Sequence, residues 1–205
     1  MASVAQTARS AEVEITFESR AEAGLVPANF SSALTGQGRP PAWRLGKDRD
    51  DAGETPTVAE TSGDETDYRF PLLIYQPLEA RDGEVTVVFK PVAGRVDRAA
   101  GIAFRLRDER NYYVVRANAL EGNVRLYRVV NGQRHQFAGR DVAVASGRWQ
   151  ELTVRATGNR FEVLLNGAAL FQATDTTFSG GGRVALWTKS DSLTHFRKLT
   201  IRTDR

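Results

Sequence analysis

Between residues 101 and 172 the chain is a run of short segments in which apolar and polar residues alternate, joined by tight turn signals. That pattern predicts antiparallel strands and leaves no room for a helix. Asn131-Gly132 is the strongest of the turns, because a two-residue primed turn needs positive φ at both positions and Asn and Gly tolerate it. Residues 101–107, 112–119, 124–130 and 133–138 are predicted to be consecutive hairpin strands. Residues 149–156 and 160–166 pair around Gly158-Asn159, and Asn166-Gly167 turns the chain into 168–172. A bend at Gly180–Gly182 leads to strands at 183–189 and 195–202.

The first half is less regular. Residues 12–18 alternate, with Val13, Ile15 and Phe17 on one side. A loop is predicted from there through residue 41, and a charged, turn-rich surface loop over 46–56. Short strands are predicted at 43–45, 58–61, 69–76 and 84–90. With about a dozen strands and no internal repeat, a propeller or solenoid is disfavoured; two antiparallel sheets packed face to face remain. The expected organisation is a flexible segment 1–11 and a single all-β domain over 12–205.

Composition narrows the function. The chain has 205 residues, 41% of them hydrophobic, enough for a core without staples. It has no cysteine, so neither a disulfide nor a thiolate metal site can form. The net charge of +3 is spread along the strands, whereas a nucleic-acid binder concentrates its basic residues in a stripe. No apolar run approaches a membrane span, and residues 1–12 carry no signal-peptide core. His135 and His195 lack ligand partners at metal-site spacing, and no cofactor is expected. The acidic stretch Asp48, Asp50, Asp51 and Glu54 is not an EF-hand; a structural calcium ion, if present, would lie near the first strand, where Glu18 could serve.

Three long segments are similar to a known group: GIAFRLRDERNYYVVRANALEGNVRLYRVVNGQR, GRWQELTVRATGNRFEVLLNG and GGRVALWTKSDSLTHFRKLTI, supported by GQGRPPAW and TSGDETDYRFPLLIY. Over residues 15–203 the chain resembles bacterial concanavalin A-like domains of the 3-keto-disaccharide hydrolase family, often labelled family 16 glycoside hydrolase-like. The resemblance implies a two-sheet antiparallel jelly roll, a carbohydrate-related role, and a secreted or periplasmic setting with any signal peptide removed. The chain departs from true family 16 glucanases, which resemble one another in a Glu-x-Asp-x-x-Glu strand; Glu151 and Glu162 stand isolated. The strand at 112–119 offers Arg116 and Asn118 where the resemblance leads one to look for an acid.

Alternation sorts the faces of the second-half strands. Ile102, Phe104, Leu106, Val124, Leu126, Val184 and Leu186 read as core, as does the Tyr113, Val115, Ala117 and Ala119 side of 112–119. If these strands are sheet neighbours, the outer face gathers Arg105, Arg116, Asn118, Arg125, Tyr127, Trp187 and Lys189. An aromatic ring can cover a pyranose, and Arg and Asn give multi-point hydrogen bonds to hydroxyls. The plainer reading is a solvated antiparallel face, with Trp187 beneath a loop. Trp43 and Trp149 are expected to be core or loop anchors. The expected function is carbohydrate binding of a lectin-like kind, with a glycoside or other carbohydrate as ligand. The alternatives are a hydrolase or lyase acting on a modified glycoside such as a 3-keto sugar, and a protein-interaction domain. Oligomeric state is not legible.

Overall fold

The computed structural model describes residues 10–17, 26–50 and 53–204. Glu18, named above as a possible calcium ligand, and Asp51 of the acidic stretch lie outside the described residues, as do residues 1–9 of the segment expected to be flexible.

Fifteen strands and no helix make up the described residues. They are β1 (Ser10–Thr16), β2 (Phe30–Gly36), β3 (Trp43–Asp50), β4 (Gly53–Glu60), β5 (Arg69–Ala80), β6 (Gly83–Ala93), β7 (Ala99–Asp108), β8 (Asn111–Asn118), β9 (Asn123–Val130), β10 (Gln133–Asp141), β11 (Gln150–Thr157), β12 (Arg160–Leu165), β13 (Ala168–Thr174), β14 (Gly182–Trp187) and β15 (Leu193–Asp204). One sheet, here sheet A, runs β13-β12-β11-β6-β15-β4-β3, with β1 also paired to β15. Sheet B runs β10-β9-β8-β7-β14-β5-β2. The first and last strands pair from Ser10↔Asp204 to Thr16↔Lys198.

The tight turns form where Asn and Gly permit them. Asn131 and Gly132 have φ of 50° and 82°, and Asn166 and Gly167 have 51° and 77°. Between the sheets lies one apolar core, filled from sheet A by Val87, Phe89, Leu152, Val154, Phe161, Val163, Leu199 and Ile201 and from sheet B by Leu73, Ile102, Phe104, Tyr113, Val115, Leu126, Val184 and Leu186. Trp43 is fully buried there.

Three expectations need correction. The segment expected to be loop up to residue 41 contains β2, an edge strand of sheet B paired to β5 from Phe30↔Tyr75 to Gly36↔Arg69. An edge strand has one neighbour and needs no apolar alternation, so Phe30-Ser-Ser-Ala-Leu-Thr-Gly36 carries almost none. The charged loop at 46–56 is largely the continued β3–β4 hairpin, in register from Trp43↔Glu60 to Asp50↔Gly53. Its charges pair across the strands, Lys47 and Arg49 donating to Glu54 at 2.8 and 2.7 Å. Finally, Arg105 has φ of 47°, and the β7–β8 register shifts between Phe104 and Asp108. That bulge inverts the alternation, so Leu106 packs on the outer face of sheet B and not beside Ile102 and Phe104.

One tie at the edge of the sandwich has a measurable pH signature. Asp175 accepts from the Tyr113 hydroxyl at 2.6 Å and pairs with Arg128 at 2.7 Å. Burial alone would raise its pKa, but hydrogen bonds from Thr177 and Tyr113, with Arg128, bring it down to about 2 from 3.8. A depressed carboxyl pKa adds stability that is complete above 3.8 and disappears as pH falls towards 2. Asp175→Asn should therefore cost about 2 kcal/mol at pH 7 and progressively less below pH 3.8. Urea unfolding at pH 7 and pH 2.5 checks this; an equal loss at both would show that the carboxylate's charge does not matter.

Candidate functional site

On the outer face of sheet B a second cluster of buried side chains has formed: Phe70, Leu72, Ile74, Ala99, Ala103, Leu106, Tyr112, Val114, Tyr127, Val129, Ala185 and Trp187. Segments from opposite edges of the sheet meet over this face. Thr35 of edge strand β2 donates to the Glu109 carbonyl at 2.5 Å and lies 2.8 Å from the Tyr112 hydroxyl. Tyr68, just before β5, donates to the Gly132 carbonyl at 2.8 Å and accepts from the Arg134 backbone N–H at 3.1 Å.

Trp187 sits in a register row that crosses the sheet through Leu72, Trp187, Gly101, Arg116, Arg125 and Gly139. Gly101 is needed there, because a Cβ on it would come within 3.0 Å of the indole. The Trp187 ring stacks on Phe70 with centroids 5.4 Å apart. The Arg134 guanidinium lies over this platform, 4.6 Å from the Phe70 centroid, 4.5 Å from Tyr127 and 6.0 Å from Trp187. Trp187 faces outward from the sandwich, yet it is fully buried. Its indole nitrogen makes no hydrogen bond of ordinary geometry. Burial pushes the Tyr112 phenol beside it up to about 12.

Beyond the rings, at the end of the sheet where β6 enters β7, the face becomes polar. Lys189 pairs with Asp97 at 2.9 Å and with Asp67 at 2.5 Å. Asn118 donates to Asp97 at 2.9 Å, and its side-chain oxygen accepts from the backbone N–H groups of Leu120 and Glu121. Arg116 donates to Glu121 at 2.7 Å and to the Tyr127 hydroxyl at 3.1 Å, and Asn123 also donates to Glu121. The loop carrying Asp97 is held by Asp191, whose carboxylate accepts the backbone N–H groups of Arg95, Val96 and Asp97. Val96 and Leu120, the two exposed large hydrophobic residues among those described, stand beside Asp97 and Glu121.

The electrostatics follow from burial. Asp97 is only 1% exposed, and burial raises its pKa despite Lys189. Burial opposes the Lys189 charge, but Asp67 and Asp97 more than offset it and raise its pKa. Burial likewise opposes ionisation of Glu121, and Arg116 and Asn123 reverse the effect, leaving its pKa lowered. Among the described residues the Nε and Nη1 atoms of Arg116 and Nη1 of Arg134 are buried donors without a hydrogen-bond acceptor, although both guanidinium groups lie over aromatic rings. Such donors call for an acceptor from water or a ligand.

The face therefore brings together Arg116, Asn118, Tyr127, Trp187 and Lys189. Arg125 lies at its β10 edge, paired with Asp141 at 2.5 Å. Arg105 does not join them. The bulge turns it towards the sheet end, where it donates to the carbonyls of Arg81, Phe178 and Gly158 and to Asp82. Asp97, Glu121 and Arg134 complete the cluster and were not legible as site residues, since Asp97 lies in an irregular loop and Glu121 in a turn. Trp149 is half-buried immediately before β11, with Lys90 and Arg197 against its ring. Among the described residues no group of three His, Cys, Asp or Glu side chains could hold a metal ion. His195 instead meets Asp48 at 3.0 Å. No helix among the described residues is long and apolar enough to cross a membrane.

Two antiparallel sheets with strands exchanged between them, and a polar cluster on the outer face of one, define a jelly-roll β-sandwich. Residues 41–202 match the family described as the 3-keto-α-glucoside-1,2-lyase-like domain, and the chain belongs to that family. Among solved structures it is similar to the carbohydrate-binding module CBM66 from Bacillus subtilis, at 21% identity over 76% of this chain and 94% of that one, TM-score 0.57. It is similar also to a β-glucanase of Bacillus licheniformis, at 14% identity over 98% and 100% of the two chains, TM-score 0.57. A family 16 glycoside hydrolase of Bacteroides ovatus, in complex with a mixed-linkage glucan product, gives a TM-score of 0.61 at 8% identity over 92% and 99%. These likenesses establish the fold, which hosts many functions. No curated protein sequence matches the chain.

Proposed function

We propose that this is a carbohydrate-binding domain whose ligand sits at the polar end of the outer face of sheet B, against Lys189, Arg116 and Arg125, with Asn118 buried behind them and holding Asp97. The observation that carries this reading is the Lys189–Asp97–Asn118 and Arg116–Glu121 network, which sets fixed donors and acceptors beside unpartnered Arg116 nitrogens. Val96 and Leu120 give this polar cluster an apolar rim, suited to the C–H face of a sugar ring. Trp187 serves differently from a stacking platform: it is covered, and supports the face from below. The setting that goes with this role is secreted or periplasmic.

A second reading, a hydrolase or lyase acting on a modified glycoside, is favoured by Asp97. It is a buried carboxyl with a raised pKa beside a lysine, which suits proton transfer. One experiment separates the two. The purified protein is screened on neutral and acidic glycans, and captured glycans are incubated and analysed for products. Lys189→Gln should weaken capture by about tenfold or more, with the far-ultraviolet spectrum unchanged. Capture indifferent to Lys189→Gln and Arg125→Ala would remove this face as the site. Product formation that Asp97→Asn abolishes, with capture retained, would replace binding by catalysis.

A further inference from the structure

The outer face of sheet A carries a groove built at an interruption in the sheet. One edge of β15 is shared by two strands: β4 pairs at Phe196↔Val58, and β1 pairs from Lys198↔Thr16 onward. The change-over falls at Arg197, which is also where the β15–β6 register shifts. A bulge of this kind re-aims a side chain, and here the Arg197 guanidinium lies 4.8 Å from the centroid of the half-buried Trp149 ring.

The notch opens into a groove of about 480 Å³ bounded by Thr16, Pro56, Val88, Glu151, Arg197 and Lys198. It continues into a further space of about 190 Å³ over Thr86, Thr153 and Thr200. Those three threonines stand in register on β15, β6 and β11, with the Thr86 and Thr153 hydroxyls 2.9 Å apart. One side is closed by a ladder of ion pairs, Glu12–Arg202–Glu84–Arg155–Glu162, each link between 2.6 and 3.0 Å. Lys198 is matched by Glu14 at 2.9 Å. Among the described residues neither Arg197 nor Glu151 has an ion-pair partner, and both line the groove.

We propose that this groove is a second ligand site and that its occupant is an extended, uncharged glycan chain. From the β1/β4 edge to β12 the groove crosses five strands, about 20 Å at ordinary strand spacing, so the ligand is longer than one sugar. A guanidinium and a carboxylate each hold two neighbouring hydroxyls, as a vicinal diol presents them. The threonine row adds hydroxyls along the chain. The balance of charge along the groove argues against a polyanion. Two glycan sites on opposite sheets would let the domain engage two chains, or two stretches of one, and gain by avidity.

Affinity electrophoresis tests this, with soluble mixed-linkage β-glucan, xylan and polygalacturonate cast separately into native gels. The wild-type protein should be retarded by a neutral polysaccharide. Arg197→Ala with Glu151→Ala, both in the groove lining and away from the core, should lose about fivefold or more of that affinity at an unchanged melting temperature. Lys189→Gln on the opposite sheet should leave the part due to Arg197 and Glu151 in place. Equal retardation of the Arg197/Glu151 variant and the wild type, retardation by polygalacturonate alone, or no retardation of the wild type by any of the three would overturn the proposal.

Discussion

Arg69→Ala is expected to cost about 3–5 kcal/mol of unfolding free energy, because it strands a buried carboxylate. Arg69 and Glu60 have no exposed side-chain surface, and their closest approach is 3.1 Å. The same guanidinium donates to the Arg39, Pro40 and Ser190 carbonyls and lies 3.7 Å from Asp64. It thereby ties β5 to the chain before β3, to the segment after β4 and to the turn that follows Lys189. Among the described residues, removing the cation leaves Glu60 with only the Ala42 and Ser62 backbone N–H groups and the Ser62 hydroxyl as donors. Arg69→Met with Glu60→Leu should recover most of the loss, since a buried pair replaced as a pair costs far less than a pair broken. Urea unfolding of the single and double variants decides the matter. A double variant as unstable as the single one would mean that the three carbonyl contacts, and not the charge pair, hold this corner.

Trp187→Ala should cost a similar amount, about 3–5 kcal/mol, as expected for an aromatic side chain removed from a packed interior. The indole is fully buried between Phe70, the Gly101 backbone and the Arg134 guanidinium, so its removal leaves a cavity in a packed region. The loss should appear as a lower melting temperature and as weaker protection of the β7 and β14 amides from exchange. Trp187→Phe keeps the stack on Phe70 and should cost about 1–2 kcal/mol. Glycan capture by Trp187→Phe close to the wild-type level would fit a ring that supports the site from beneath. Loss of capture at full stability would instead place the indole in contact with ligand.

The difference between these two residues shows where sequence reading succeeds. A turn such as Asn131-Gly132 or Asn166-Gly167 is a local event, decided by which residues accept positive φ, and alternation follows from a strand's two faces. The hairpins of the second half, the main core and the all-β sandwich were therefore legible before any coordinates. So was the common face of Arg116, Asn118, Tyr127 and Trp187, because β9, β8, β7 and β14 are sheet neighbours.

What lay beyond the linear pattern depended on long-range contact. Edge strand β2 owes its form to β5, some forty residues on, and its own side chains announce little. One residue in a left-handed conformation at Arg105 moved that side chain out of the expected site and sent Leu106 to the opposite face. Asp97 joins the polar cluster only because Asp191, at the far end of the chain, holds its loop against Lys189 and Asn118. Whether the outward-facing Trp187 is open or covered was settled by strand β10, which places Arg134 over the ring. Residue type and spacing set which face a side chain takes; its burial, its partners and its charge state are set by segments that sequence distance keeps apart and the folded sheets bring together.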